Sequence, residues 1–294
     1  MTEGLNSPIV IGGIGGSGTR VIAKIIKELN VFIGNDLNLP LDNLSYTLIF
    51  KRTKWYYKNR LSPKTINKGI GILEKSMTNN KLYTIKELLF LFNATLMMHR
   101  YGHFNNVDGK GKWAIKRLWH LLFARQANIS KYAAWGWKEP NSHLILKDLS
   151  NYFPQLKYIH TIRHGLDMAF SNTQQQLLNW SSLYGIKTPE KETDIPYASF
   201  RYWVEVNKNA LVTGKSLGSE KFYLLNYDSF CQNPADEISK LIAFLGLPIN
   251  YAMIENLATI PKVPKSAGRF RNQNTSNFEP DDIAFLESLG YASK

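Results

Sequence analysis

The chain has 294 residues, 44% hydrophobic and 13% aromatic, which supplies ample core material and excludes a wholly disordered protein. Its 36 Lys and Arg exceed 23 Asp and Glu by 13 charges. A surplus of that size favours a polyanionic partner: nucleic acid, an acidic membrane surface, an acidic glycan or a phosphate-rich cofactor. A single cysteine, Cys231, rules out an intrachain disulfide framework and a cysteine zinc cluster.

The opening MTEGLNSP has no basic stretch followed by a long apolar one, and no segment reaches 18 uninterrupted apolar residues. A soluble, cytoplasmic protein without a membrane span is the expectation. Residues 8–13 (PIVIGG) read as a short buried strand bounded by Pro and Gly. From Val21 to Leu29 the apolar positions 21, 22, 25, 26 and 29 form the stripe of an amphipathic helix. Val31–Ile33 reads as a second brief strand, and residues 43–62 are aromatic and basic. A mainly helical insertion follows to about residue 130, clearest at Ile85–Arg100 and Lys116–Gln126, with the loop Gly102–Lys112 between them as a flexible edge. A strand at Ala133–Lys138 and a helix near Ser142–Ser150 come next. The strand Leu156–Ile162 then leads into Arg163-His164-Gly165 and a helix through about Leu178. Residues 179–196 read as a surface loop, 197–214 as a helix and Phe222–Leu225 as a strand. Cys231 falls in a polar turn before the helix Pro234–Leu245, which Gly246 closes. A Pro/Lys-rich loop at 261–272 and a short final helix complete the chain.

Strands alternating with helices predict an α/β protein, three layers deep, with helices on both faces of a central parallel sheet. Ligands of such sheets bind outside the carboxyl ends of the strands. The stretch Gly12–Arg20 (GGIGGSGTR) lies at that edge, with five glycines in the seven residues Gly12–Gly18. Glycines let backbone N–H groups approach a phosphate, and the following helix N-terminus adds partial positive charge. A nucleoside-triphosphatase loop of the G-x4-G-K-[ST] type fails, because Thr19-Arg20 stands where Lys and a hydroxyl belong. The dinucleotide fingerprint G-x-G-x-x-G fits Gly13–Gly18 letter for letter, with Asp36 near the place of a ribose-binding acid. An NAD(P)-dependent oxidoreductase therefore remains open at this point.

Five segments in order carry a resemblance. Gly16-Ser17-Gly18-Thr19 resembles the 5′-phosphosulfate loop of sulfotransferases that use 3′-phosphoadenosine 5′-phosphosulfate (PAPS). Trp137-Lys138-Glu139-Pro140 resembles the K-x-P loop of that family, and Arg163 with Ser171 resembles its 3′-phosphate motif. LLNYDSF at 224–230 with Asn233-Pro234 and LIAFLGLP at 241–248 resembles its Y-E-D and L-x-x-F-L-G-L segments. Ser266–Arg271 resembles the C-terminal loop that closes over the cofactor. The resemblance implies a P-loop NTPase-like sulfotransferase fold, one domain over 1–294 with the helical insertion at about 43–130. It implies PAPS as donor, 3′-phosphoadenosine 5′-phosphate (PAP) as product, and no metal.

On this resemblance Gly15, Gly16, Ser17, Gly18, Thr19 and Arg20 hold the 5′ end of the cofactor. Arg163 and Ser171 take the 3′-phosphate, Tyr227 neighbours the adenine, and Gly268, Arg269 and Arg271 wrap the nucleotide. A guanidinium grips phosphate bidentately, though Arg163 also has Asp167 four residues on as an ion-pair partner. The family's frequent Lys or Arg before Ser-Gly-Thr is absent, since Gly16 stands there. Lys138 and Arg20 are the alternative cations, with Glu139 a competing partner for Lys138. Asp36 and Asp42 are candidate bases, or else helix caps. His99 and His103, four apart, read as incidental. A small-molecule or glycan acceptor is expected, with carbohydrate favoured by the basic surplus. Nucleic acid is not. The Trp/Tyr-rich segments 43–62 and 113–137 also admit an aromatic or lipid-like acceptor. A non-catalytic nucleotide- or polyanion-binding protein is the remaining reading.

Overall fold

The computed structural model describes residues 7–101, 110–125, 128–248 and 251–294. A five-stranded sheet runs in the order β2-β3-β1-β4-β5, with β3 parallel to both β1 and β2. The chain separates into two compact units, one of residues up to Ile11 and Ile22–Tyr158, the other of Gly12–Val21 and Ile159–Lys294.

β1 (Ile9–Gly13), every residue of which is buried, begins in the first unit and ends in the second. α1 (Thr19–Glu28) follows, burying Ile22, Ile25 and Ile26 completely. Each such side chain contributes on the order of 1.5–3 kcal/mol of hydrophobic stabilisation, so the apolar stripe decides how α1 lies. After β2 (Val31–Phe32) come α2 (Leu44–Phe50), α3 (Thr53–Asn59), α4 (Pro63–Met77), α5 (Ile85–Tyr101) and α6 (Lys110–Leu122). β3 (Ala134–Lys138) leads through a 3-10 turn at Pro140–Ile145 into α7 (Leu146–Tyr152) and β4 (Lys157–Ile162). Trp135 and Trp137 of β3 are buried with their rings 6.0 and 6.4 Å from that of Phe153.

The second unit continues with α8 (Gly165–Ala169), α9 (Gln175–Trp180) and the long α10 (Ile195–Leu217). β5 (Phe222–Asn226), α11 (Tyr227–Gln232), α12 (Pro234–Leu245), α13 (Tyr251–Ala258) and α14 (Pro280–Ser288) follow. Its core holds Phe200 stacked on Trp203 at 5.8 Å, with Phe278 4.9 Å from Phe200.

Several boundaries differ from the sequence expectation. The helix expected after Arg163-His164-Gly165, through about Leu178, is two helices, because the Gln174 amide donates to the carbonyls of Met168, Ala169 and Ser171 at 3.3, 3.0 and 2.7 Å. A side chain has taken the acceptors that a continuing helix needs. The helix expected near Ser142 opens as a 3-10 turn after Pro140, and α6 starts at Lys110, six residues before its expected start at Lys116. Cys231 lies in α11 instead of a turn, since Asn226 caps that helix by accepting from the N–H groups of Asp228 and Ser229. Most of the loop expected at Gly102–Lys112, including His103, and the expected helix end at Gln126 lie outside the described residues.

Candidate functional site

β1 runs into the glycine loop, and the loop into α1, whose first turn carries no acid to offset its positive end. At Gly13 φ is +141°, and a Cβ there would collide with the Thr161 carbonyl oxygen. The loop therefore leaves its strand flush against the β4 backbone, two residues before Arg163. Gly18 lies on the ring of Tyr227, close enough that a Cβ would overlap it. The Ser17 N–H donates to the Ile14 carbonyl at 3.0 Å, closing the turn, and the Ser17 hydroxyl is buried without a partner. Gly15 and Gly16 are exposed, as is Arg20 in the first turn of α1, while Thr19 is buried.

Gly16 has φ +96°, and a Cβ there would meet only Met168 Cε at 3.9 Å. Space is open, but the backbone conformation disfavours any L side chain. The cation missing from this position is thus tied to the shape of the loop. Sequence reasoning missed Gln176, whose Oε1 accepts from the Gly15 N–H at 2.8 Å. The glutamine run 174–176 was the only signal.

Arg163 follows β4 directly and is 8% exposed. One guanidinium nitrogen donates to Ser266 Oγ at 2.9 Å, and the same nitrogen is 4.0 Å from Asp167 Oδ2. Arg163 Nε is buried with no hydrogen-bond partner. Asp167 is engaged elsewhere, accepting from the N–H groups of Gly268 at 2.8 Å and Phe270 at 3.4 Å. Arg269 donates to the Phe170 carbonyl and to the Ser266 carbonyl, each at 3.2 Å. The 266–271 loop is thereby laced onto Arg163 and α8. Arg271 is exposed, its guanidinium 5.6 Å from the Phe270 ring centre. Ser171, expected two turns into a helix, instead follows the end of α8, half-exposed, its hydroxyl accepting from the Thr173 N–H at 3.3 Å.

Tyr227 is buried against Gly18 and lies near Cys231, whose thiol donates to the Lys262 carbonyl at 3.4 Å. Burial first, and then Cys231, push its phenol well above the usual range, and burial also raises the thiol. Neither group ionises near neutrality.

A cavity of about 320 Å³ lies beside the 266–271 loop, walled by His164, Asp228, Gly268, Phe270, Arg271 and Tyr291 among others. The glycine loop is not among its walls. His164 stacks on Phe270 at 4.5 Å, and its Nε2 bonds to the Ala292 carbonyl at 2.9 Å. A carbonyl only accepts, so Nε2 carries the proton and the buried Nδ1 keeps its lone pair without a partner. Burial lowers the His164 pKa despite Asp167, the Ala292 carbonyl and Asp228 pulling the other way.

In the first unit Lys138, 3% exposed in its side chain, forms an ion pair with Asp42 and donates to the Pro40 carbonyl at 3.2 Å. It does not pair with Glu139, the expected competitor. The Glu139 carboxylate instead accepts from the Asn141 N–H at 2.7 Å and side-chain amide at 2.9 Å, and pairs with Lys51 at 3.1 Å. For Asp42, burial works to raise the pKa, but the Lys138 charge and hydrogen bond, with Asn38, bring the net shift downward. Asp36 pairs with Arg117 Nε at 2.6 Å. Neither aspartate caps α2, since Asn43 does so by accepting from the Tyr46 N–H.

Residues 8–251 match the model of a family described as the sulfotransferase family. No curated protein matches the chain in sequence. Among solved structures it is similar to the sulfotransferase domain from the Synechococcus PCC 7002 olefin synthase, with a TM-score of 0.51 at 14% identity, covering 100% of this chain and 98% of that one. It is also similar to the sulfotransferase domain from the curacin biosynthetic pathway, with a TM-score of 0.55 at 16% identity, covering 98% and 99%. At these identities the likeness is one of fold, and the fold is the expected α/β architecture.

Proposed function

The chain belongs to the sulfotransferase family, and on that premise we propose that it moves a sulfuryl group from PAPS to a hydroxyl or amine of a small-molecule or glycan acceptor. PAPS supplies an activated sulfuryl group, and the acceptor gives up a proton as its new bond to sulfur forms and PAP leaves. The observation that carries this reading is Arg163, a buried guanidinium at the carboxyl end of β4 with an N–H left unpaired. An orphaned buried donor costs on the order of 1–3 kcal/mol, which an anionic ligand would offset. A second orphan, the Ser17 hydroxyl, lies in the glycine loop. Two anion-seeking features in one unit suit a nucleotide phosphorylated at both ends.

On this reading Gly15–Arg20 hold the 5′ end, and Arg163, Ser171, Gly268, Arg269 and Arg271 the 3′ end. Tyr227 backs the loop beside the adenine. Lys138 and Arg20 are the cations for the transferring group in place of the one Gly16 excludes. Asp36 and Asp42 are the proposed bases. Each sits in an ion pair that must open before the carboxylate can take a proton, and the lowered pKa of Asp42 makes it a poor base while Lys138 stays beside it. The basic surplus of 13 supports an anionic carbohydrate acceptor. The olefin-synthase origin of one structural neighbour makes an apolar chain worth testing beside it. We also propose a single catalytic domain with a helical insertion, working in the cytoplasm.

The test is thermal-shift titration with PAP, NAD and ATP. Stabilisation by PAP at micromolar concentration, absent with NAD, is the expected result; stabilisation by NAD alone would end this reading. Slow hydrolysis of PAPS, lost in Lys138→Gln, separates an enzyme from a binding protein.

A further inference from the structure

The helix pair α5–α6 carries an apolar surface that the described residues leave exposed. On α5 the side chains of Ile85, Leu89, Phe92 and Leu96 recur at intervals of four, three and four, one stripe of an α-helix, and are 54–78% exposed. The opposite side of α5 buries Leu91, Ala94 and Met98. On α6 and its last turn Ile115, Trp119 and Phe123 recur every four residues at 54–68% exposure, opposite the fully buried Ala114 and Leu121. The helices run antiparallel, tied by Tyr83 Oη donating to the Leu121 carbonyl at 2.9 Å and Lys81 Nζ donating to the His120 carbonyl at 2.9 Å. Each helix thus has a proper buried face and a second apolar stripe turned to solvent. Exposed large apolar groups in such number mark an interaction surface.

The charges beside the stripes choose the occupant. Lys86 and Arg100 on α5, Lys112 and Lys116 on α6, and Arg125 beyond it are all exposed. α6 contains no acid, and the one acid of α5, Glu87, is held by Lys75 at 2.8 Å. A second copy of this chain would bring the same cations against them, within a molecule whose formal charge is +13. An anionic bilayer answers both features: its acyl boundary receives Trp, Phe and Leu while its headgroups meet Lys and Arg. No helix among the described residues is long and apolar enough to cross a membrane, so the contact is peripheral.

We propose that the α5–α6 pair docks the protein on an anionic lipid surface, with the Leu89/Phe92/Leu96 and Trp119/Phe123 stripes entering the headgroup boundary. The proposal does not depend on the transfer chemistry. Its test is co-sedimentation with vesicles of phosphatidylcholine alone and of phosphatidylcholine with phosphatidylserine, with light scattering to follow oligomeric state. Binding to the phosphatidylserine vesicles, weak on phosphatidylcholine and reduced by salt, is expected. Lys112→Gln with Lys116→Gln should weaken it about 30-fold, from the contribution of two cations near a charged surface. Phe92→Glu with Trp119→Glu should abolish it; the lysine pair serves as the folded control, because it leaves the apolar side chains in place. Unaltered melting in that control with undiminished vesicle binding overturns the proposal. So does a wild-type chain that ignores phosphatidylserine vesicles, or one that forms dimers broken by Phe92→Glu and Trp119→Glu without binding lipid.

Discussion

Lys138 and Arg117, in the unit that holds β2 and β3, each end on a carboxylate, whereas Arg163, in the unit that holds the glycine loop, ends on a serine hydroxyl and keeps one N–H unused. Even Arg52, which has no acid beside it in the first unit, directs its Nε and one terminal nitrogen to the Ile49 carbonyl at 3.0 and 2.8 Å and lies 4.1 Å over Trp55. Burial lowers its pKa to about 9. A buried cation held on a carboxylate or carbonyl of its own chain is already compensated. One whose nearest carboxylate is engaged by Gly268 and Phe270 is available to an anion from outside. The difference teaches where to look for a ligand: at the incomplete cation, not at the strongest ion pair.

The largest expected effect tests the complete side of that comparison. Asp42→Ala strands Lys138 without a counter-charge and should cost about 3–5 kcal/mol in urea unfolding, with most of it recovered when Lys138→Met is added. Failure of the double variant to recover would mean that the pair does more than neutralise itself. Because the folded-state pKa of Asp42 lies below its unfolded value, its contribution is full above about pH 4 and fades as pH falls through the folded value. Acid titration of stability, steeper in the wild type than in the double variant, checks the sign.

Next comes the incomplete side. Arg163→Ala should weaken PAP binding about 100-fold, from loss of charge-assisted hydrogen bonds worth roughly 1.5–3 kcal/mol each, while moving stability less than Asp42→Ala does. Equal PAP affinity in wild type and variant by calorimetry would remove the basis of the comparison. A smaller effect is expected at Gly16. Its left-handed backbone makes Gly16→Lys destabilising by about 1–2 kcal/mol even though it restores the family's cation. A variant as stable as the wild type would show that the loop relaxes freely.

The smallest effect belongs to His164. Its folded pKa is depressed, so below about pH 6.5 the unfolded chain takes up a proton that the folded one resists, and stability falls with pH in that range. His164→Asn should flatten the decline in melting temperature between about pH 7 and 5.5. An unchanged slope would assign the decline to other groups.

Much of this site was legible from local pattern. The strand–glycine–helix junction at Gly12–Arg20 and the strand before Arg163 are set by short-range stereochemistry and burial, and both occur where their residues imply. The break after Ala169 was not legible, because it depends on a Gln174 amide whose own oxygen is held by Ser199, 25 residues on. The partner of Lys138 was also misjudged. Adjacency pointed to Glu139, but a buried cation takes the carboxylate that the fold brings to its tip, and Asp42 comes from 96 residues away.

The sequence by itself determined the succession of strands and the strand–glycine–helix junction, because periodicity and glycine conformation are local properties. Only the tertiary structure decided which cations are satisfied. Satisfaction depends on what stands within about 3 Å of a nitrogen, and residues as distant in the chain as Arg163 and Ser266 set that distance together. The exposed stripes of α5 and α6 were written in the sequence as apolar residues, but periodicity alone does not say which of two apolar faces is buried. Their outward direction came from the packing of the opposite faces.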